Sequence, residues 1–253
     1  MSEVSVFNYL ILSWFLLALV IFISLFFITA PYGRHTRDNW GPTLNGKGGM
    51  LIMEAVAPLT FVVFFFLGSN PISVTSVFFL IMWEAHYIHR AFIYPFSLRG
   101  RAKRMTAIVV VLGFIFNSAN GYLNGRYIFT LSDGYPSQWL GDPRFIIGLG
   151  LFIAGFVINR RADLILHNLR KPDDSDYRIP YGEMYRWISC PNYLGEIVVW
   201  IGWAMATWSL AGLAFAIWTM ANLMPRAKAH HTWYRSHFAN YPTERKILVP
   251  GLW

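Results

Sequence analysis

The chain has 253 residues, 55% of them hydrophobic and only 13% charged, with a formal net charge of +8. A soluble domain usually carries about 25% charge, so a water-soluble globular fold is excluded. The single cysteine, Cys190, excludes an internal disulfide and a cysteine-rich metal site.

Apolar runs near the roughly 20 residues that a helix needs to cross the bilayer core recur along the chain. The first, about 7–30, is too long for a signal-peptide core and has no basic leader, so it is expected to be a retained helix. Six more follow at about 49–68, 72–95, 105–124, 144–166, 192–209 and 211–224. Some are separated only by short breaks such as Gly68-Ser69-Asn70-Pro71 and Leu210-Ala211-Gly212. The predicted fold is an all-α integral membrane protein, one seven-span domain over 1–253 with a tail over 225–253. All but three of the 21 Lys and Arg residues fall in the loops after spans one, three and five and in the tail; the exceptions are Arg90, Arg126 and Arg144. This alternation puts the N-terminus outside and the C-terminus in the cytoplasm. The same rule accounts for the positive balance without nucleic acid.

Ionisable residues inside the spans mark function, because a charge at the centre of a span costs about 2.5–3.5 kcal/mol on insertion scales. Glu54 lies early in span two and requires a partner. Span three ends in Trp83-Glu-Ala-His-Tyr-Ile-His-Arg90. His86 and His89 are expected to make ordinary hydrogen bonds there, since the seven histidines include no HxxxH pair and no metal site is predicted. Tyr87 stands apart: a phenol held by a buried carboxylate is a good proton donor to a carbonyl.

The segment 159–196 holds 12 of the chain's 34 charged residues in 38 positions. Asn159 and Asp163 share one helix face, and Asn192 and Glu196 share another. Pro191 suits a helix start. In the tail, Arg226, His230 and Tyr234 recur every four residues on one face. A dinucleotide needs cations for its phosphates, for which Arg170, Arg178 and Arg226 serve. It also needs amides and carboxylates for its sugars and carboxamide, for which Asn159, Asp163, Asn192 and Glu196 serve. Gly148-Leu-Gly150 continues with no third glycine and lies in a span, so a Rossmann domain is excluded.

These residues resemble the steroid 5α-reductases over nearly the full length. The strings that carry the resemblance are Pro31-Tyr-Gly-Arg-His-Thr36, Ala85-His-Tyr-Ile-His-Arg90, Asn120-Gly-Tyr-Leu123, Asp142-Pro-Arg-Phe145, Asn168-Leu-Arg-Lys-Pro172, Tyr177-Arg-Ile-Pro180, Asn192-Tyr-Leu-Gly-Glu196 and Arg226-Ala-Lys-Ala-His-His231. The tail adds Tyr241-Pro, Arg245-Lys-Ile and Pro250. The resemblance implies NADPH-dependent reduction of the Δ4 double bond of a 3-oxo steroid, with Tyr87 and Glu54 at the ketone. It also implies NADPH contacts from Asn159, Asp163, Arg170, Tyr177, Arg178, Asn192, Glu196, Arg226, His230 and Tyr234, with Tyr32 and Arg101 as additions from the first and third cytoplasmic loops. The chain departs from the animal enzymes in Arg160-Arg161-Ala162, where they carry Ile-His-Ser, and in the acidic run Asp173-Asp-Ser-Asp176. The expected partners are a steroid or related lipid and membrane lipid, and the chain is expected as a monomer. Alternative readings are a reductase of another lipid alkene (a polyprenol or an enoyl thioester), a membrane methyltransferase, or a non-catalytic sterol-binding protein. Glu54 with Tyr87 counts against methyl transfer, which has no ketone to polarise.

Overall fold

A computed structural model describes residues 1–29, 41–97, 104–169 and 177–253. Of the predicted site residues, Tyr32, Arg101 and Arg170 lie outside the described residues. The chain is mostly helical. Its helices are α1 (Glu3–Phe27), α2 (Gly46–Leu67), α3 (Val74–Tyr87), α4 (Tyr94–Ser97), α5 (Ala107–Arg126), α6 (Pro143–Asn168), α7 (Pro191–Thr207) and α8 (Leu210–His237). A π-turn, Ile88–Ile93, runs from α3 into α4, and a second, Tyr127–Leu131, extends α5. Four helical stretches, Glu3–Phe27, Gly46–Leu67, Ala107–Leu131 and Pro143–Asn168, are long and apolar enough to cross a membrane. The segments predicted as spans three, six and seven are also helical.

The sequence sets the helix ends. Asp142 caps α6 by accepting from the Arg144 N–H and also chelates the Arg144 guanidinium at 2.8 and 2.7 Å. Those bonds hold its carboxyl down at about 2. Pro191 stands at the first position of α7, where a missing N–H costs nothing. The break between α7 and α8 falls at Trp208, which is left-handed at φ 45°, with Ser209 capping Gly212. It was expected at Leu210–Gly212. Gly212 instead sits inside the helix start, where a Cβ would press on Thr207 and Ala204.

The most extensive helix pairing is α6 on α7, followed by α2 on α5. A glycine seam explains the first. Gly148 and Gly155 lie two turns apart on α6, and Gly195 and Gly202 lie two turns apart on α7. A Cβ on any of them would strike the opposite backbone: Gly148 at Ala206, Gly155 at Val199, Gly195 at Asn159 and Gly202 at Phe152. In a membrane such small residues let helix backbones approach and gain packing that lipid does not offer. A two-stranded antiparallel ribbon, β1 (Thr43–Asn45) with β2 (Arg104–Thr106), ties the start of α2 to the start of α5. The sequence pattern gave no sign of it.

An aromatic core fills the bundle. Phe61 stacks on Trp83 at 4.5 Å, and Trp200 lies 3.9 Å from Phe215. The buried indoles keep their hydrogen bonds, Trp83 to the Ala57 carbonyl and Trp203 to Asn124 Oδ1, as burial of an N–H demands. The last residues return to the loop before α7: Ser189 bonds His231 at 2.6 Å and Tyr241 at 2.7 Å. Burial, and then Arg235, hold the His231 imidazole below its ordinary value, so the docked tail favours its neutral form.

The seam generates a direct expectation. Gly155→Leu should overpack α6 against α7 and cost about 1–3 kcal/mol or more. This would be read as a lower thermal unfolding midpoint in detergent, and an unchanged midpoint would contradict the close approach.

Candidate active site

The site is organised by the turn where α3 widens into the π-turn. Single π-turns within helices are frequent at functional positions. Here four residues of one stretch reach four other helices. His86 Nε2 lies 3.2 Å from Glu196 Oε1 on α7. The Tyr87 hydroxyl donates to Asn117 Oδ1 on α5 at 3.2 Å. His89 Nδ1 accepts from Arg160 on α6 at 3.3 Å. Arg90 Nε lies 3.3 Å from Glu54 Oε1 on α2.

Glu54 is buried at 8% exposure, and the Arg90 guanidinium is the partner that such an acid requires. Tyr87 is buried too, at 2%. Its phenol is held by an amide rather than by the carboxylate that the sequence suggested. Asn117 explains this, because it donates to the Met53 carbonyl at 2.7 Å, and that bond fixes its own oxygen toward Tyr87. Asn120, one turn along α5, is buried as well, its side-chain amide unpaired among the described residues. Glu54 and Met53 are consecutive, so the acid and the phenol are built on one frame.

A second cluster joins the glycine seam at its polar end. Asn159 donates to the Asn192 carbonyl at 2.9 Å and to Glu196 Oε2 at 3.1 Å. The Asn192 amide donates to Asp163 Oδ1 at 3.2 Å, and Trp200 Nε1 donates to Glu196 Oε1 at 3.0 Å. Asn159, Asp163, Asn192 and Glu196 therefore form one wall between α6 and α7. The electrostatic neighbours of Glu54 include Glu196 and His86, which makes the two clusters contiguous.

The tail face extends the wall. Arg226 Nε donates to the Tyr193 hydroxyl at 2.9 Å, and that hydroxyl lies 3.0 Å from His230 Nε2. Because the guanidinium only donates, the phenol is free to donate to the imidazole. Leu25, Thr29, Asn222, Pro225 and Ala229 line a cleft beside Arg226. Tyr234, on the same helix, is buried and stacks on Tyr241 at 5.3 Å. Tyr177 meets Trp233 edge-on at 5.0 Å, and Arg178 donates to the Leu169 carbonyl at 3.3 Å. These three lie on the tail and loop side, with contacts to the tail and to the end of α6. In the loop before α7, burial and then Asp163 push the Tyr185 phenol well up, so it stays a donor, to the Ala162 carbonyl at 3.4 Å.

Sequence reasoning passed over Asn117, Trp200 and the bridging role of His86. The signal for Asn117 was its place as the first of three amides, with Asn120 and Asn124, that close an apolar run. For His86 it was proximity to Tyr87. Among the described residues no group of three or more His, Cys, Asp and Glu could hold a metal ion. The donor set fits a nicotinamide dinucleotide by its chemistry: amides and carboxylates between α6 and α7 suit ribose hydroxyls and a carboxamide, and the guanidinium, phenol and imidazole of α7 and α8 suit phosphates.

Residues 103–253 match the family described as 3-oxo-5-alpha-steroid 4-dehydrogenase. A steroid 5-alpha-reductase DET2 of Gossypium hirsutum is 38% identical, over 100% of this chain and 99% of its own length. A 3-oxo-5-alpha-steroid 4-dehydrogenase 1 of Homo sapiens is 44% identical over 71% of this chain and 69% of its own. The Bos taurus protein of that name is 36% identical over 93% of each.

The Asn159 bridge can be tested alone. Asn159→Leu leaves Glu196 Oε2 without its donor, an expected loss of about 1–3 kcal/mol that would lower the unfolding midpoint. No shift would show that the wall does not depend on this amide.

Proposed function

The chain belongs to the 3-oxo-5-alpha-steroid 4-dehydrogenase (steroid 5α-reductase) family, and on that footing we propose that it reduces the Δ4 double bond of a 3-oxo steroid with NADPH. Membership makes it an oxidoreductase acting on a CH–CH bond. The observation that carries the finer reading is the contiguity of Glu54 and Tyr87 with the wall of Asn159, Asp163, Asn192 and Glu196 through one turn of helix.

The chemistry follows from where charge develops. Reduction at C5 pushes electron density through C4 onto the C3 oxygen. Tyr87 donates a hydrogen bond to that oxygen, and Glu54 is its partner at the ketone. Arg90 holds the acid, and the Tyr87 ring stays packed on Trp83 and Trp200 while its proton turns from Asn117 Oδ1 to the ketone oxygen. C4 then takes a proton drawn ultimately from water. The surrounding Trp83 and Trp200, both buried, keep water away from the ketone and strengthen these interactions.

NADPH, when bound, supplies the hydride. Asn159, Asp163, Asn192 and Glu196 would hold its sugar and carboxamide. Arg226 and His230 would hold its phosphates, with Arg170, Tyr177, Arg178, Tyr234, Tyr32 and Arg101 from the loops and tail. We propose that the chain acts as a monomer. The topology that fits is seven spans in a single domain over 1–253, the N-terminus outside and the NADPH side with the C-terminal tail in the cytoplasm.

Purified protein given NADPH and progesterone should yield the 5α-reduced ketone, and NADPH consumption without a saturated steroid would point to another lipid alkene. Tyr87→Phe and Glu54→Gln should each lower kcat about 100-fold or more, the scale of losing one oxyanion donor. NADPH binding should be largely kept. Near-normal turnover in both variants would remove their proposed role.

A further inference from the structure

We propose that His86 is a positioning residue that sets the cofactor-side carboxylate Glu196 relative to the ketone-side phenol Tyr87. The inference rests on the NADPH reading above and adds a residue that this reading does not use.

Glu196 is held by three donors. Asn159 reaches it from α6 and Trp200 from its own helix, and these fix it to the α6–α7 pair. His86 alone of the three comes from α3, the helix that ends in Tyr87. The ring contacts of α3 with α7 run from Phe79, Trp83, His86 and Tyr87 to Trp200 and Trp203. Ring packing tolerates sliding, whereas a hydrogen bond to a carboxylate does not. His86 therefore defines the spacing between the two halves of the site.

The imidazole is built for that task. It is 4% exposed and wedged edge-on between Trp200 at 4.6 Å and Tyr87 at 5.2 Å. Its Nδ1 is buried with no hydrogen-bond partner among the described residues. With Nδ1 unpaired, the ring's orientation rests on Glu196 and the flanking rings alone, so ring and carboxylate move as a unit. Misplacing reacting groups by about 1 Å can cost about 100-fold in rate.

The test uses the full chain in detergent, with NADPH binding read by energy transfer from protein tryptophan and turnover read on progesterone. His86→Leu should raise the KM for NADPH about tenfold or more, on the scale of removing a group that orients a ligand. It should also lower kcat while leaving the steroid KM within about twofold. His86→Gln, long enough to donate to Glu196, should recover most of the loss, and His86→Asn, which is too short, should not. In combination with Glu196→Gln, His86→Leu should add little, because both act through one bond. An unchanged NADPH KM in His86→Leu would overturn the inference. So would equal impairment in the Gln and Asn variants, or multiplicative losses in the double variant. A wild-type protein that binds no NADPH would instead overturn the cofactor reading itself. If the Leu variant does not fold, the Gln and Asn pair decides the question.

Discussion

An ionisable group in the hydrocarbon region must find a partner inside the protein, because neither lipid nor water supplies one there. That constraint shapes this bundle. Glu54 and Asp163 are buried and Glu196 is partly buried, three acids on three helices. Arg90 and His86, which meet two of them, stand four residues apart on one stretch. Asn192 meets the third from α7. Helix geometry makes the arrangement possible: at 3.6 residues per turn, successive positions from 86 to 90 face different neighbours.

The pairing also separates labour within the site. On one side, α2 and α5 supply an acid and an amide beside the phenol, groups suited to a carbonyl oxygen. On the other, α6 and α7 supply amides and carboxylates, groups suited to sugars and a carboxamide. The glycine seam holds the second set together by letting the two backbones touch. The ribbon β1–β2 and the Asn117–Met53 bond hold the first. Charged residues alone would not give this geometry; the small ones set the distances at which the polar ones meet.

Much of this was legible in the sequence. Long apolar runs predicted the helices, Pro191 marked the start of α7, and four-residue spacing put Asn159 with Asp163 and Asn192 with Glu196 on facing helices. Spacing within a helix is local, and periodicity reports it well. Partner choice between helices is not local. Arg90 stood out as a cation late in span three, yet nothing in the chain said that its mate was Glu54, 36 positions earlier. Gly148 and Gly150 were weighed only against a nucleotide-binding fingerprint. Gly148 proves to be a seam residue, whereas Gly150 meets nothing, a distinction that depends on which face α7 covers. The π-turn carries no proline or glycine to announce it, and the αL break at Trp208 uses a residue rarely found in that conformation.

The central claim is that one wall delivers hydride while the opposite groups receive charge at the ketone. It predicts where each new hydrogen enters the steroid. Progesterone would be turned over in ordinary water with NADPH carrying deuterium at the nicotinamide C4, and the product read by NMR. The account predicts deuterium at C5 and ordinary hydrogen at C4. Deuterium at C4, or a reduced product containing none, would contradict it.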